Sequence, residues 1–304
     1  MHLSLRQLDI FRAVAESGSI RSAARVVNLT QPAVTHAVRE LERSVGAALF
    51  VRSVKGVVPT DIGAALLRRS QRLFNEVRRT QDELVQLRDG TGGQLCIAFS
   101  SAAGQLLPDA LTDFRARRPG VALELHEITW SSGDERWRSG GYDFAVVSEW
   151  DAPQDDGLLR ETLLTQPLSV VARAGHPLAQ ARTLARLQQS TWLVAGYGRA
   201  LLQRLYAAQH RAPPADLIAC HSTQLALKLL RRTDALALMS SDMLGAGGVD
   251  DTLVYLPLPQ PLASLRISLL LRDPDALTPA ARLFLECLRR AAQRQQVRPA
   301  AGKR

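Results

Sequence analysis

The sequence has little of what marks an enzyme, a secreted protein or a membrane protein. Its three cysteines, Cys96, Cys220 and Cys287, are odd in number and far apart. That pattern argues against a disulfide framework and suits a reducing compartment. No stretch of 18 apolar residues occurs, so no segment reads as a membrane span. Arg6, Asp9, Arg12 and Glu16 stand where a signal peptide would need an apolar core, and the expected location is cytoplasmic. No metal-ligand cluster, P-loop or G-x-S-x-G is found, so neither a cofactor nor a metal is expected. Cys220-His221 suggests a thiol with its base, but neighbours on a strand point to opposite faces. A redox-sensing thiol needs a resolving partner, and Cys220 has none nearer in sequence than Cys287. No enzyme activity is expected. Lysine is also scarce, at Lys55, Lys228 and Lys303, so arginine carries the positive charge. Codon bias produces such enrichment too.

What is present is a globular chain with an uneven charge. Its 304 residues, 46% of them hydrophobic, suffice for two or three domains with a sizeable core. The formal charge is +9, made of +5 in residues 1–90, −2 in 91–288 and +6 in 289–304. Basic ends around a nearly neutral middle suit a polyanion partner at the ends.

Residues 19–60 are the most informative stretch. Leu5, Leu8, Phe11, Val14 and Ala15 recur at helical spacing, predicting a helix over 4–16 that Gly18 stops. Ser19 is the expected N-cap of a short helix over about 20–27, built on Ala23, Ala24 and Val27. Asn28-Leu29 makes a turn. Thr30 then caps a second helix, with Pro32 near its first position, where a missing N–H costs nothing. Val34, Val38 and Leu41 form the inward face of that helix. Gln31, Thr35, His36, Arg39 and Arg43 lie on the other face, able to meet base edges and phosphates. Leu49, Phe50 and Val51 anchor a β-wing that carries Arg52 and Lys55 outward, with Gly56 at its bend. Each piece alone fits an ordinary three-helix core with a solvated charged face. The order and spacing together predict a winged helix-turn-helix, which places one helix in the major groove of double-stranded DNA.

The segment from Leu5 to Gly63 resembles the DNA-binding domain of LysR-type transcriptional regulators. The resemblance rests on A-A-R-V-V-N-L-T-Q-P-A-V-T-H-A-V-R-E-L-E, then L-F-V-R, then P-T-D-I-G. The family often has Ser-Arg or Ser-Lys where this chain has Thr35-His36. The expected DNA-facing residues are Thr30, Gln31, Pro32, Thr35, His36, Arg39, Arg52 and Lys55. The expected domains are the winged helix-turn-helix at 1–60, a linker helix at 61–90 and an effector domain at 91–304.

Leu66, Ser70, Leu73, Val77, Thr80, Leu84 and Leu87 fall at alternating steps of four and three, a heptad seam. Such a seam fits a coiled coil between two chains or a helix packed on its own domain. The resemblance implies the first: a homodimer through the linker helix, with a homotetramer as the larger assembly. Asp89-Gly90-Thr91-Gly92-Gly93 reads as a hinge.

Beyond it, apolar strands alternate with amphipathic helices. Strands are expected at 94–99, 121–128, 143–148, 168–172, 192–194, 217–220, 235–239 and 266–271. Helices are expected at 106–117, 200–209, 223–232 and 279–294. This predicts an α/β fold with mainly parallel sheets. It resembles the two-lobed, periplasmic-binding-protein-like effector domain of the family. That implies one lobe at about 94–163 plus 267–295 and another at 164–266. The segment ending G-G-Y-D-F-A-V-V looks like the family's G-x-L-D-x-A stretch, whereas Thr233-Asp234-Ala235-Leu236-Ala237 departs from its common Gly-x-Gly. Anions bind at strand C-termini and helix N-termini in such sheets. Ser100, Ser101, Trp130, Ser148, Tyr197, Arg199, His221 and Thr223 are therefore the candidate effector-binding residues. Each serine or threonine alone also fits a plain N-cap, and it is the resemblance that implies their convergence in one cleft. The expected function is DNA-dependent regulation controlled by a small organic acid, with RNA polymerase recruitment as an output.

Overall fold

The computed structural model describes residues 3–53, 56–89, 92–129, 135–150, 157–240, 252–258 and 262–297. The chain divides into two units, Met1–Asp82 with Glu135–Gly141, and Glu83–Asp134 with Tyr142–Arg304.

In the first unit, α1 (Leu5–Ser17) opens at a capping box. Ser4 Oγ accepts from the Gln7 N–H, and the Gln7 side chain takes the Ser4 N–H. The helix stops at Gly18, whose φ of +61° is costly for a residue with a Cβ. Ser19 caps α2 (Ile20–Val26), and Thr30 caps α3 (Gln31–Val45) by accepting from the Ala33 N–H at 3.4 Å. β1 (Phe50–Ser53) and β2 (Gly56–Pro59) pair antiparallel as the wing. A Cβ at Gly56 would lie 2.5 Å from the Gly18 carbonyl oxygen, to which Val57 N–H donates at 2.9 Å. Only glycine lets the wing close on the end of α1.

Ile10, Val14, Ala23, Ala24, Val34 and Val38 form one buried cluster in this unit. The two alanines leave room for the backbones of α1, α2 and α3 to approach. Phe11, Leu41 and Leu49 form a second cluster, against which Leu66 and Leu67 pack. Fully burying Val34 is worth about 1.5–3 kcal/mol on general grounds. Leu66 and Leu67 belong to α4 (Asp61–Asp89). The heptad positions of α4 therefore divide. Leu66 packs within the unit and Ser70 is buried, its hydroxyl donating to the Leu67 carbonyl at 2.9 Å. Leu73, Leu84 and Leu87 are 50%, 62% and 68% exposed, leaving an apolar stripe without cover in the single chain. Residues 135–141 dock on α4 through their carbonyls. Arg72 Nε donates to Arg138, Asn75 Nδ2 to Ser139 and Arg79 Nη2 to Gly140, at 2.7, 2.8 and 2.8 Å.

The second unit is organised by one sheet. Its elements run β3 (Gln94–Phe99), a 3-10 turn (Ser101–Leu106), α5 (Leu107–Arg117), β4 (Ala122–Glu127) and β5 (Phe144–Glu149), while α6 (Glu135–Arg138), between β4 and β5 in sequence, belongs to the first unit. There follow β6 (Leu159–Arg173), β7 (Trp192–Val194), α7 (Gly198–Ala207), β8 (Leu217–Ala219), α8 (Thr223–Arg232) and β9 (Leu236–Ser240). β10 (Leu253–Tyr255), β11 (Ala263–Leu271) and α9 (Pro279–Val297) complete the described residues. The strand order is β4-β3-β5-β11-β6-β9-β7-β8, with β10 against β6.

The sheet is mixed, which corrects the expectation of a mainly parallel one. β3, β4 and β5 pair in parallel at one side, and β7, β8 and β9 at the other. Between them the pairings of β11 and β6 are all antiparallel. βαβ crossovers enforce parallel pairing at the flanks, while two long strands run oppositely through the centre. The first half of β6 was not expected as strand because Arg160, Glu161, Thr162, Thr165, Gln166 and Pro167 make it polar. The expected lobe boundaries fall inside these strands, where Leu164 pairs with Ile267 and the register shifts at Ile267/Ser268. One core lies between the β3 flank, α5 and α9, around Ile97, Phe114, Phe144 and Phe284. Another surrounds Trp192, whose indole N–H donates to the Leu187 carbonyl at 3.1 Å.

Candidate functional site

Two surfaces draw together the residues singled out in the sequence. The first is the outer face of α3. Val34, Val38 and Leu41 are buried, so the helix turns Thr30, Gln31, Pro32, His36 and Arg39 to the exterior. Thr35 is half-buried and its hydroxyl donates to the Gln31 carbonyl at 3.0 Å, which leaves its oxygen free to accept. Arg43 is tied into an ion pair with Glu40. Arg39 has no ion pair among the described residues. Arg52 falls in β1, and Lys55 lies outside the described residues. The sequence pattern did not point to Glu42. Its Oε1 accepts from the Leu49 N–H at 2.8 Å and the Phe50 N–H at 3.4 Å, fixing where the wing leaves α3.

The second is a cavity of about 740 Å³ in the other unit, within the range of small-molecule sites. It opens at the ends of β3, β5, β7, β8 and β9, beside the starts of the 3-10 turn, α7 and α8, the usual place for ligands in α/β sheets. Ser100, Ser101, Ser148, Tyr197, His221 and Thr223 all line it. Ser100 and Ser148, both buried, are locked together. Ser100 Oγ accepts from the Ser148 N–H at 2.8 Å and donates to Ser148 Oγ at 3.0 Å. The Tyr197 hydroxyl donates to the same Ser148 oxygen at 3.4 Å. Burial pushes the Tyr197 phenol up, an effect partly offset by the Ser148 hydrogen bond, so it stays a neutral donor.

Several expectations need correction. Ser100 makes no side-chain cap bond; its hydroxyl is spent on Ser148. Within His221-Ser222-Thr223 it is Ser222 that caps α8, accepting from the Leu225 N–H at 3.3 Å, and Thr223 is the first helical residue. Cys220 lies just past β8, buried, with its thiol donating to the Ser222 carbonyl at 3.4 Å. Arg199 is exposed and does not line the cavity. At about 100° per residue it stands roughly 200° around α7 from Leu201, which does. Trp130 lies outside the described residues.

Sequence reasoning missed the remaining walls: Leu168, Leu193, Met239 and Leu265 as apolar surface, and Thr129 and Ser240 as polar groups. Ser240 is fully buried and its hydroxyl has no partner among the described residues. Its signal was its place at the end of β9, where the chain reads as an ordinary apolar strand. The described lining includes no lysine or arginine, and Glu127 is its one charged residue. One group of metal-ligating side chains does lie together, contrary to expectation: Cys96, Glu124 and His126, on β3 and β4 rather than in the cavity.

Comparison with known proteins bears on both surfaces. Residues 5–64 match the model for the bacterial regulatory helix-turn-helix protein, lysR family. Residues 88–293 match that for the LysR substrate binding domain. The chain belongs to the LysR family of transcriptional regulators. This LysR-type chain is 29% identical over 295 residues to the HTH-type transcriptional regulator GalR of Pseudomonas putida, covering 95% of this chain and 74% of that protein. It is 33% identical over 207 residues to the RuBisCO operon transcriptional regulator of Allochromatium vinosum, covering 67% and 68%. Full-length CbnR in complex with its target DNA has the same fold, with a TM-score of 0.70 at 22% identity and coverage of 95% and 100%. The relatives are regulators of transcription, not enzymes. No described helix is long and apolar enough to cross a membrane.

Proposed function

We propose that this LysR-type DNA-binding regulator is controlled by a small organic anion held in the 740 Å³ cavity. The observation that carries this reading is the convergence of five strand ends on a row of hydroxyls, Ser100, Ser148, Tyr197 and Ser240, above an apolar floor. With no lysine or arginine in the described lining, the carboxylate is held by the Ser148 and Ser240 hydroxyls, whose protons the described hydrogen bonds leave uncommitted, and by the N-terminal N–H groups of α7 and α8. The lobes meet across β6 and β11, at 94–163 plus 267–295 and at 164–266, and the ligand shifts their balance between two arrangements. The DNA-reading part is 1–60, with Thr30, Gln31, Pro32, Thr35, His36 and Arg39 on α3 and Arg52 and Lys55 on the wing. The linker at 61–90 pairs two chains through Leu73, Leu84 and Leu87, and two dimers form the tetramer. The protein works in the cytoplasm, and a changed DNA geometry alters recruitment of RNA polymerase.

A thermal-shift screen of aromatic and aliphatic carboxylates on the full chain tests the reading, with neutral polyols of similar size in parallel. The expected result is a rise in the thermal midpoint with a carboxylate, reduced in Ser100→Ala. A response confined to neutral polyols would overturn the anionic assignment.

A further inference from the structure

We propose that Cys96, Glu124 and His126 form a binding site for a divalent transition ion, with zinc the ion they suit best. β3 and β4 pair in parallel, with Cys96 opposite Glu124 and Ala98 opposite His126. Side chains alternate along a strand, so residues 96, 124 and 126 project from one face of the pair. The Cys96 sulfur lies 3.7 Å from Oε2 of Glu124, and Nε2 of His126 lies 3.2 Å from the same oxygen. All three ligand atoms lie within 4.8 Å of one another. Zinc binds thiolate, imidazole and carboxylate at about 2.3, 2.0 and 2.0 Å, so a tetrahedron holds such donors about 3.3–3.6 Å apart. The two measured separations, 3.7 and 3.2 Å, lie about 0.1 Å outside that spacing, and side-chain rotation would have to bring sulfur and imidazole, within 4.8 Å of each other, to it.

The donor set decides the class of ion. Magnesium and calcium take oxygen ligands, whereas one sulfur, one imidazole and one carboxylate suit zinc and its neighbours. The donors are also held in place by groups outside the set. Asp143 brackets Cys96: its carboxylate accepts the Cys96 N–H at 2.7 Å, and its own N–H donates to the Cys96 carbonyl at 2.8 Å. Gln94 Nε2 donates to the other Glu124 oxygen at 2.5 Å. The His126 ring packs beside Tyr142 with centroids 5.6 Å apart. Such neighbours orient ligands before the ion arrives. Cys96 is buried, His126 half-buried and Glu124 exposed, so the ion enters from solvent and keeps a fourth position for water. On binding, the Cys96 thiol releases its proton to solvent and nothing is oxidised. β4 ends the sheet order, so the ion would tie an edge strand to its neighbour.

The competing account is a hydrogen-bonded cluster in which Glu124 accepts from the thiol and the imidazole without any ion. Cobalt distinguishes the two, because a cobalt thiolate has a charge-transfer absorption in the near ultraviolet. Full-length protein is stripped with chelator and titrated with Co²⁺, then with Zn²⁺ in competition. The expected result is one ion per chain, with a thiolate band displaced by zinc. Cys96→Ser should abolish the band, and His126→Gln, at a partly exposed position, should weaken binding at least tenfold. Zinc should raise the thermal midpoint of the wild type and not that of Cys96→Ser. No stoichiometric cobalt in the wild type, or a band that survives in folded Cys96→Ser, would overturn the proposal.

Discussion

Replacing Ser100 by alanine should destabilise the sensor unit more than replacing its partner Ser148. The Ser100 hydroxyl accepts the Ser148 N–H at 2.8 Å and donates to Ser148 Oγ at 3.0 Å. Removing it abolishes the second bond, worth about 0.5–1.5 kcal/mol, and leaves a buried N–H without its acceptor, at about 1–3 kcal/mol. The pair lines the cavity, so water can reach the orphaned group, which places the expected total near 2 kcal/mol. Ser148→Ala is milder. The backbone N–H at 148 keeps its acceptor, and only the hydroxyl–hydroxyl bond and the 3.4 Å bond from Tyr197 disappear. About 1 kcal/mol is expected there. Urea unfolding followed by tryptophan fluorescence measures the difference, since three of the four tryptophans, Trp130, Trp150 and Trp192, fall in that unit. Both variants equally stable, or Ser148→Ala the weaker, would show that Ser100 is not the acceptor on which the pair depends.

Leu73→Glu should abolish the proposed dimer, because an unpaired carboxylate is costly to bury against a partner helix; light scattering that still shows dimers would refute the seam. Thr30→Ala should cost the DNA-binding unit at most about 1 kcal/mol, the low end for a cap, since its bond to Ala33 is long at 3.4 Å and exposed. The change is read as a lower thermal midpoint. Glu161 should contribute to acid sensitivity. Hydrogen bonds from Arg289 at 2.8 and 2.7 Å, and its charge, hold the Glu161 carboxyl below its ordinary value of 4.5 against the opposing effect of burial. A depressed carboxyl stabilises the fold above its unfolded pKa and loses that contribution as pH falls through its folded pKa. Both side chains are over two-fifths exposed, so the effect should stay within about 1 kcal/mol. In Glu161→Gln, stability measured from pH 6 down through about pH 3 should fall less than in wild type.

The helical head was legible because local chemistry dictates it. Ser19 and Thr30 cap their helices through their own hydroxyls, and Gly18 adopts the backbone that only glycine accepts cheaply. Those signals lie within a few residues of what they control. The sensor was less legible because its decisive facts join residues far apart. β6 hides its first half in polar residues that pair with β11, about a hundred residues later. The Ser100–Ser148 lock, the unpartnered Ser240 hydroxyl and the Cys96–Glu124–His126 group all depend on strand register. Arg199 shows the opposite error. Its charge and its place at a helix start suggested an anion fork, but the turn of α7 sends it to solvent.

That the outer face of α3 reads DNA is tested most directly by the salt dependence of binding to double-stranded DNA, with Arg39→Ala beside the wild type. Arg39 is exposed on α3 with no ion pair among the described residues, so it is free to meet a phosphate. Each phosphate left without its cation should lower the slope of log K against log salt by about 0.9. The expected result is weaker binding and a slope shallower by about one in Arg39→Ala, with the protein still folded. Unchanged affinity and slope would contradict a DNA-reading role for that face.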